Sequence, residues 1–206
     1  MVAAPKVCRR GNYWGAMMPE FPCRRIGLAL TILLSFAGTA YAGDIATLVS
    51  DLQADFSNPV IPGTEALIIQ SGNSDLATID QQGATVGAGN YSEINQDGSS
   101  NQASVVQDGS SNRARIDQTG ASNFADVTQT GTGNSIDITQ DGNANLTTSQ
   151  IGDYNSIVAN MTNQNGTPTT LSENGNNNSI TANLSSPGLN VNVSIVGNGM
   201  SISTAQ

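Results

Sequence analysis

The chain has very few aromatic residues, few charges and no histidine. Aromatics make up 4% and charged residues 11% of its 206 residues, with two cysteines and one tryptophan. A conventional globular core of this size carries more large apolar side chains. Both cysteines, Cys8 and Cys23, lie close to the N-terminus. The rest of the chain therefore lacks imidazole and thiol, the commonest bases, nucleophiles and metal ligands. That inventory argues against an enzyme, including a polysaccharide lyase built on parallel strands, and no cofactor is implied. Cations are scarce too: beyond residue 25 only Arg113 and Arg115 remain. Nucleic acid as a partner is excluded on that count, because its phosphates need clustered Lys and Arg. What fills the chain instead is Asn, Gln, Ser, Thr, Gly and Ala. Such a composition fits either disorder or a polar, stacked β structure, and periodicity has to decide.

The N-terminal region reads as an export signal. Arg24 and Arg25 form a positive flank, an apolar run from Ile26 to Ala37 follows, and Ala40-Tyr41-Ala42 supplies a small-x-small site. Cleavage is expected between Ala42 and Gly43, making residues 1–42 a signal peptide. The run is too short to span a bilayer comfortably, which weighs against a retained anchor. Met17 or Met18 is an alternative start, which would make residues 1–16 an upstream extension. The pairs Arg9-Arg10 and Arg24-Arg25 lack the rest of a twin-arginine motif, so the general secretory route is expected. After cleavage, two arginines face fifteen carboxylates, and no cysteine is left to form a disulfide. The acidic surface keeps a monomeric chain soluble.

The informative feature is an internal repeat. Gln96, Gln107, Gln118, Gln129 and Gln140 stand eleven residues apart, and Gln150 follows after ten. Two positions after each comes a glycine: Gly98, Gly109, Gly120, Gly131, Gly142 and Gly152. Five positions after each comes an asparagine: Asn101, Asn112, Asn123, Asn134, Asn145 and Asn155. Small or apolar residues then alternate, as in Ala103 and Val105 or Ile136 and Ile138. Upstream, Gln70 and Gly72 open a unit with Asp75 at the asparagine position. Gln81 and Gly83 open the next, which reaches Asn90 only after four extra residues, so Ala84 to Gly89 should bulge as a loop. Downstream, Glu173, Gly175 and Asn178 repeat the pattern with Glu in place of Gln. The repeats divide into a regular part, residues 67–160, and a degenerate part, residues 161–206, in which Pro168 and Pro187 are expected to interrupt the pattern. About eleven or twelve units are discernible. Residues 43–66 carry no repeat.

An eleven-residue period also suits a helical coil, but Gly and Asn in every unit argue against helix. The retained positions alternate, which marks a strand, and the glycine with its polar neighbours marks a turn. One strand cannot bury its own face. Two successive units can, as the two walls of a flattened parallel β-solenoid with twenty-two residues per coil, stacked about 4.8 Å apart. The inward set is then Asn, Ala or Ile, Val or Ile, and Gln. Buried amides need partners. One coil apart, each Gln or Asn can donate to its counterpart on one side and accept from the other, and such ladders fix the register. On the outside, Glu93, Arg115 and Asp137 should form one column, and Tyr91, Arg113 and Ser135 the next, with room for a ring-to-guanidinium contact.

At these residues the sequence resembles the curlin subunits of bacterial curli. The shared pattern is Q-x-G-x-x-N-x-A with a further Gln at the next strand, over at least residues 70–160. Residues 106–120 look closest to the minor, nucleating subunit, although no Lys or Arg follows Arg115. The resemblance implies a subunit that leaves the cell unfolded through an outer-membrane secretion pore with accessory factors. It implies self-association, with other curlin subunits as co-polymers, into extracellular amyloid fibres that adhere and build biofilm. Residues 43–66 correspond in place to the segment that directs secretion. A major or third curlin-like subunit is the alternative role.

Polymerisation also follows from the architecture. A solenoid has two open ends with unpaired backbone groups, and no helical or charged cap follows residue 70. An incoming chain of the same period can add its first coil there. Asp97, Asp108 and Asp141 beside the turn glycines either slow this by like-charge stacking or serve only as turn formers. The competing class is a monomeric secreted β-solenoid binding module. Calcium-binding solenoids repeat every nine residues, and Thr128, Thr130, Thr132 and Thr139 do not recur at the period, as an ice-binding array would.

Overall fold

A computed structural model of the protein describes residues 30–35, 64–84 and 88–206, and in the first of these segments only the backbone. The Ala42–Gly43 cleavage site, residues 1–16 and nearly all of 43–66 lie outside the described residues, as does the middle of the loop expected over Ala84 to Gly89. Every element is a strand. In chain order they are β1 (Leu30–Ser35), β2 (Glu65–Asn73), β3 (Leu76–Gln82), β4 (Tyr91–Ser99), β5 (Gln102–Ser110), β6 (Arg113–Ala121) and β7 (Phe124–Thr132). Then come β8 (Ser135–Asp141), β9 (Asn145–Ile151), β10 (Ser156–Thr162), β11 (Pro168–Asn174), β12 (Ser179–Leu184), β13 (Val191–Val196) and β14 (Ser201–Ala205).

The strands fall alternately into two parallel sheets. One runs β1-β2-β4-β6-β8-β10-β12-β14, the other β13-β11-β9-β7-β5-β3. Each strand thus pairs with the strand two units away, and two units make one coil of a parallel β-solenoid. In the regular part the partners stand twenty-two residues apart, as in Gln96 with Gln118 and Gln107 with Gln129. The four-residue insertion lengthens one coil without shifting the register, since Gln70 still pairs with Gln96. Among the described residues thirteen strands follow β1, against the eleven or twelve units legible in the sequence, and the degenerate stretch forms strands up to β14. Pro168 does not interrupt the coil. It opens β11 opposite Asn145, a first-strand position where a missing N–H is tolerated. β1, inside the stretch read as export signal, pairs in parallel with β2.

The core is a thin apolar seam between the walls. Ile94, Val105, Ala114, Ile116, Val127, Ile136 and Ile138 are buried, and the seam continues through Ile157, Leu171, Ile180 and Ile195. Strand alternation explains it: β5 reads exposed or half-exposed at every second residue, with Ala103, Val105 and Gln107 inward. Fully burying one such Val or Ile contributes about 1.5–3 kcal/mol, so the many-fold repetition of the seam offsets its thinness.

The turns require glycine for two reasons. Gly98 holds φ at 142°, in the region L-residues avoid. A Cβ on it would lie 1.8 Å from the carbonyl oxygen of Gly120 in the next coil. Two residues later the chain turns again through the left-handed region. Ser100, Ser111 and Ser122 occupy it at φ 57°, 58° and 60°, and Tyr154 does so at 57°.

Candidate functional site: buried amide columns and open sheet edges

Two columns of glutamines run through the interior. In the first wall Gln70 donates to Gln96 at 2.6 Å, Gln96 to Gln118 at 2.8 Å and Gln118 to Gln140 at 2.8 Å. In the second, Gln81 donates to Gln107 and Gln107 to Gln129 at 2.8 Å, and Gln129 to Gln150 at 2.9 Å. All donate in the same sense along the chain, so each column is polar. From Gln81 and Gln96 onward the amides also donate across the coil: Gln107 to the Tyr91 carbonyl and Gln118 to that of Gln102. The buried amides are thereby satisfied without water. Ser92 is an extra link that the repeat pattern did not reveal. It accepts from Gln81 and donates to Gln107.

The asparagines stack one coil apart as their period suggests, and they also bind backbone. Amide-to-amide bonds exist, as from Asn134 to Asn112 at 3.1 Å. The recurrent contacts, though, are with backbone. Asn90 Oδ1 accepts the N–H of Asn112, and Asn112 Oδ1 that of Asn134. Their Nδ2 groups donate to turn carbonyls, Asn90 to Gly109 and Asn112 to Gly131. Asn155 and Asn178 continue this side, donating to Gly175 and Gly197. Asn101 and Asn123 form the shorter column opposite, where Asp75 accepts the Asn101 N–H. These side chains clamp each turn onto the next.

Asn145 is a correction. It does not stand in the column. Ala144 does, fully buried, with its N–H donated to Asn123 Oδ1. The single residue missing between Gln140 and Gln150 is lost from the turn, ahead of the asparagine position, so Asn145 moves outward to open β9 beside Phe124. The turn glycines Gly72, Gly83, Gly98, Gly109, Gly120, Gly131, Gly142, Gly152 and Gly175 all have positive φ.

Toward the C-terminus the columns change chemistry. In the first wall Met161 and then Leu184 take the place of Gln140. In the second, Gln150 donates at 2.8 Å to Glu173, which is followed by Ile195. A separate stack appears in the turns. Asp153 accepts the N–H of Thr132, Asn176 that of Asp153, and Asn198 that of Asn176. Gln164 is fully buried and donates to the carbonyls of Thr162 and Leu184. The turn stack steps by 23 and 22 residues, one coil at a time, but at positions outside the repeat consensus, as Gln164 also is, so the consensus did not announce them.

The outer columns lie where the twenty-two-residue spacing puts them. Arg115 pairs with Asp117 on its own strand and lies 3.7 Å from both Glu93 and Asp137. The Arg113 guanidinium sits 5.4 Å from the centre of the Tyr91 ring. Among the described residues no group of three or more His, Cys, Asp or Glu could hold a metal ion.

The curlin-associated repeat model matches this sequence in three overlapping windows, residues 87–120, 98–131 and 109–142. Residues 87–142 carry curlin-associated repeats. The windows step by one strand-and-turn unit, and the β-solenoid runs beyond them at both ends. Neither a curated protein nor a solved structure matches the chain. In a solenoid of such repeats the candidate functional surface is the pair of sheet ends. β3 and β13 end one sheet, and β14 ends the other at the C-terminal side. Curlin repeats and the solenoid are structural elements, which accords with a scaffold.

Proposed function

We propose that the mature chain is exported, crosses the outer membrane and polymerises at the cell surface as a subunit of curli-type fibres. The observation that carries this reading is the in-register glutamine columns, which run along the stacking axis toward open sheet ends. Such an end offers backbone donors and acceptors at strand spacing, and another copy, or another curlin subunit, can satisfy them as the next coil does within one chain. Removal of residues 1–42 would take β1 with it and leave β2 as the N-terminal edge of its sheet. No bond chemistry is needed; growth is templated addition.

Within this reading the likeness of residues 106–120 to the minor subunit favours a nucleating role. The test is thioflavin fluorescence on purified mature protein, alone and as a trace additive to a co-encoded curlin. Growth of fluorescence over hours supports the fibre reading, and a shortened lag of the partner supports nucleation. Unchanged lag assigns the chain to the bulk of the fibre instead. A chain that stays monomeric and dark overturns the fibre reading in favour of a binding module.

A further inference from the structure

The glutamine column of the second wall ends on an acid. Glu173 is fully buried. One carboxyl oxygen accepts from Gln150 at 2.8 Å, while Oε1 is buried with no hydrogen-bond partner. In the preceding coils the second-wall glutamine makes one more bond. Gln107, Gln129 and Gln150 each donate at 3.1 Å to the carbonyl that opens the facing first-wall strand, that of Tyr91, Arg113 and Ser135. Ser156 pairs with Ser135, so its carbonyl holds the equivalent place for Glu173. A carboxylate has no proton to give it; a carboxylic acid has one.

Nothing nearby compensates the charge. β9, β10, β12 and β13 carry no titratable side chain, and β11 carries only Glu173 itself. Asp153 and Tyr154, in the turn between β9 and β10, are the nearest titratable groups in sequence. Burial outweighs the Gln150 hydrogen bond and raises the Glu173 pKa to about 7.

We propose that Glu173 is a proton-operated latch for the C-terminal coils. Protonated, it donates to the Ser156 carbonyl and completes the column as glutamine does elsewhere. Ionised, it leaves an uncompensated charge in the interior, and the coils from β11 onward loosen from the stack. If the C-terminal edge is a growth site, which rests on the fibre reading above, the latch makes elongation faster on the acidic side of neutrality.

The experiment compares the mature protein with Glu173→Gln, which restores the repeat residue and so keeps the fold. In protein carrying carboxyl-labelled glutamate, one NMR resonance, absent from E173Q, should titrate near pH 7, well above the ordinary glutamate range. Titration of that resonance in the ordinary glutamate range overturns the latch. Elongation from preformed seeds between about pH 5 and pH 8 should slow roughly tenfold in the wild type and stay flat in E173Q. Parallel profiles overturn the role in growth. If neither protein polymerises at any pH, the fibre reading fails, and the carboxyl titration of the folded monomer alone decides the latch.

Discussion

The coils over β4–β8 and those over β10–β14 share one backbone path but not one interior. The earlier coils carry glutamine in both walls, joined from Gln96 to Gln118 to Gln140 and from Gln107 to Gln129 to Gln150. The later coils place Met161, Leu184 and Ile195 in those columns, with Glu173 at the join. The outside differs in the same way. Arg113, Arg115, Glu93, Asp117 and Asp137 all lie in the earlier coils, while after Asp153 the only acidic or basic side chain is the buried Glu173. The solenoid therefore does not need the glutamine ladders to form; alternation, turn glycines and the asparagine clamps at Asn155 and Asn178 continue without them. What the amides add is register. A shifted coil would leave several amides unpaired, whereas an apolar column tolerates a slip more cheaply.

Four changes would break or sharpen this contrast. The largest effect is expected from Gly98→Ala, which drives a Cβ to 1.8 Å from the Gly120 carbonyl oxygen and also strains φ. A cost above about 4 kcal/mol is expected, read as loss of the cooperative unfolding transition or of fibres. Preserved stability would mean that the turns do not stack as described.

Next comes pH. The folded-state pKa of Glu173, about 7, lies above its ordinary value of 4.5. The native state therefore holds this proton more tightly than the unfolded chain. The penalty is absent below about pH 4.5, grows through the interval and is complete above about pH 7, reaching roughly 3 kcal/mol. Denaturant midpoints of the C-terminal coils should fall over that window in the wild type and much less in E173Q. A decline confined to lower pH would assign it to other carboxylates, such as Asp75, whose pKa burial also raises.

A smaller effect is expected from Gln118→Met, which imports the later coils' solution into the earlier ones. Gln140 loses its donor, while Gln96 keeps its bond to the Leu76 carbonyl. The buried orphan costs about 1–3 kcal/mol, measurable as a lower denaturant midpoint. A neutral result would mean that the column contributes register only. Arg115→Gln should matter least. Its ion pairs are partly exposed, and such pairs contribute about 0–1 kcal/mol. Stability at low and high salt should differ little between variant and wild type.

Much of this was legible in the residues. Gln96, Gln118 and Gln140 at even spacing, with Ala114 and Ile116 alternating between them, specify strand, turn and coil length together. The column of Glu93, Arg115 and Asp137 follows from the same spacing. Asn145 shows where such reading stops. Counting from Gln140 puts it in the column, but a deleted residue can be absorbed anywhere in a turn, and only packing against Asn123 selects Ala144. Pro168 is similar: its effect depends on whether it falls at the start or the middle of a strand.

The sequence by itself determined the period, the inward set and the stacking of like on like, because a repeat of fixed length leaves a parallel coil little choice of register. Tertiary structure alone decided which polar atoms find partners. The asparagines bind backbone more than each other, Asp153, Asn176 and Asn198 form a stack of their own, and Glu173 keeps one oxygen unpaired. Those outcomes turn on hydrogen-bond geometry to neighbouring coils, to which a one-dimensional period is blind.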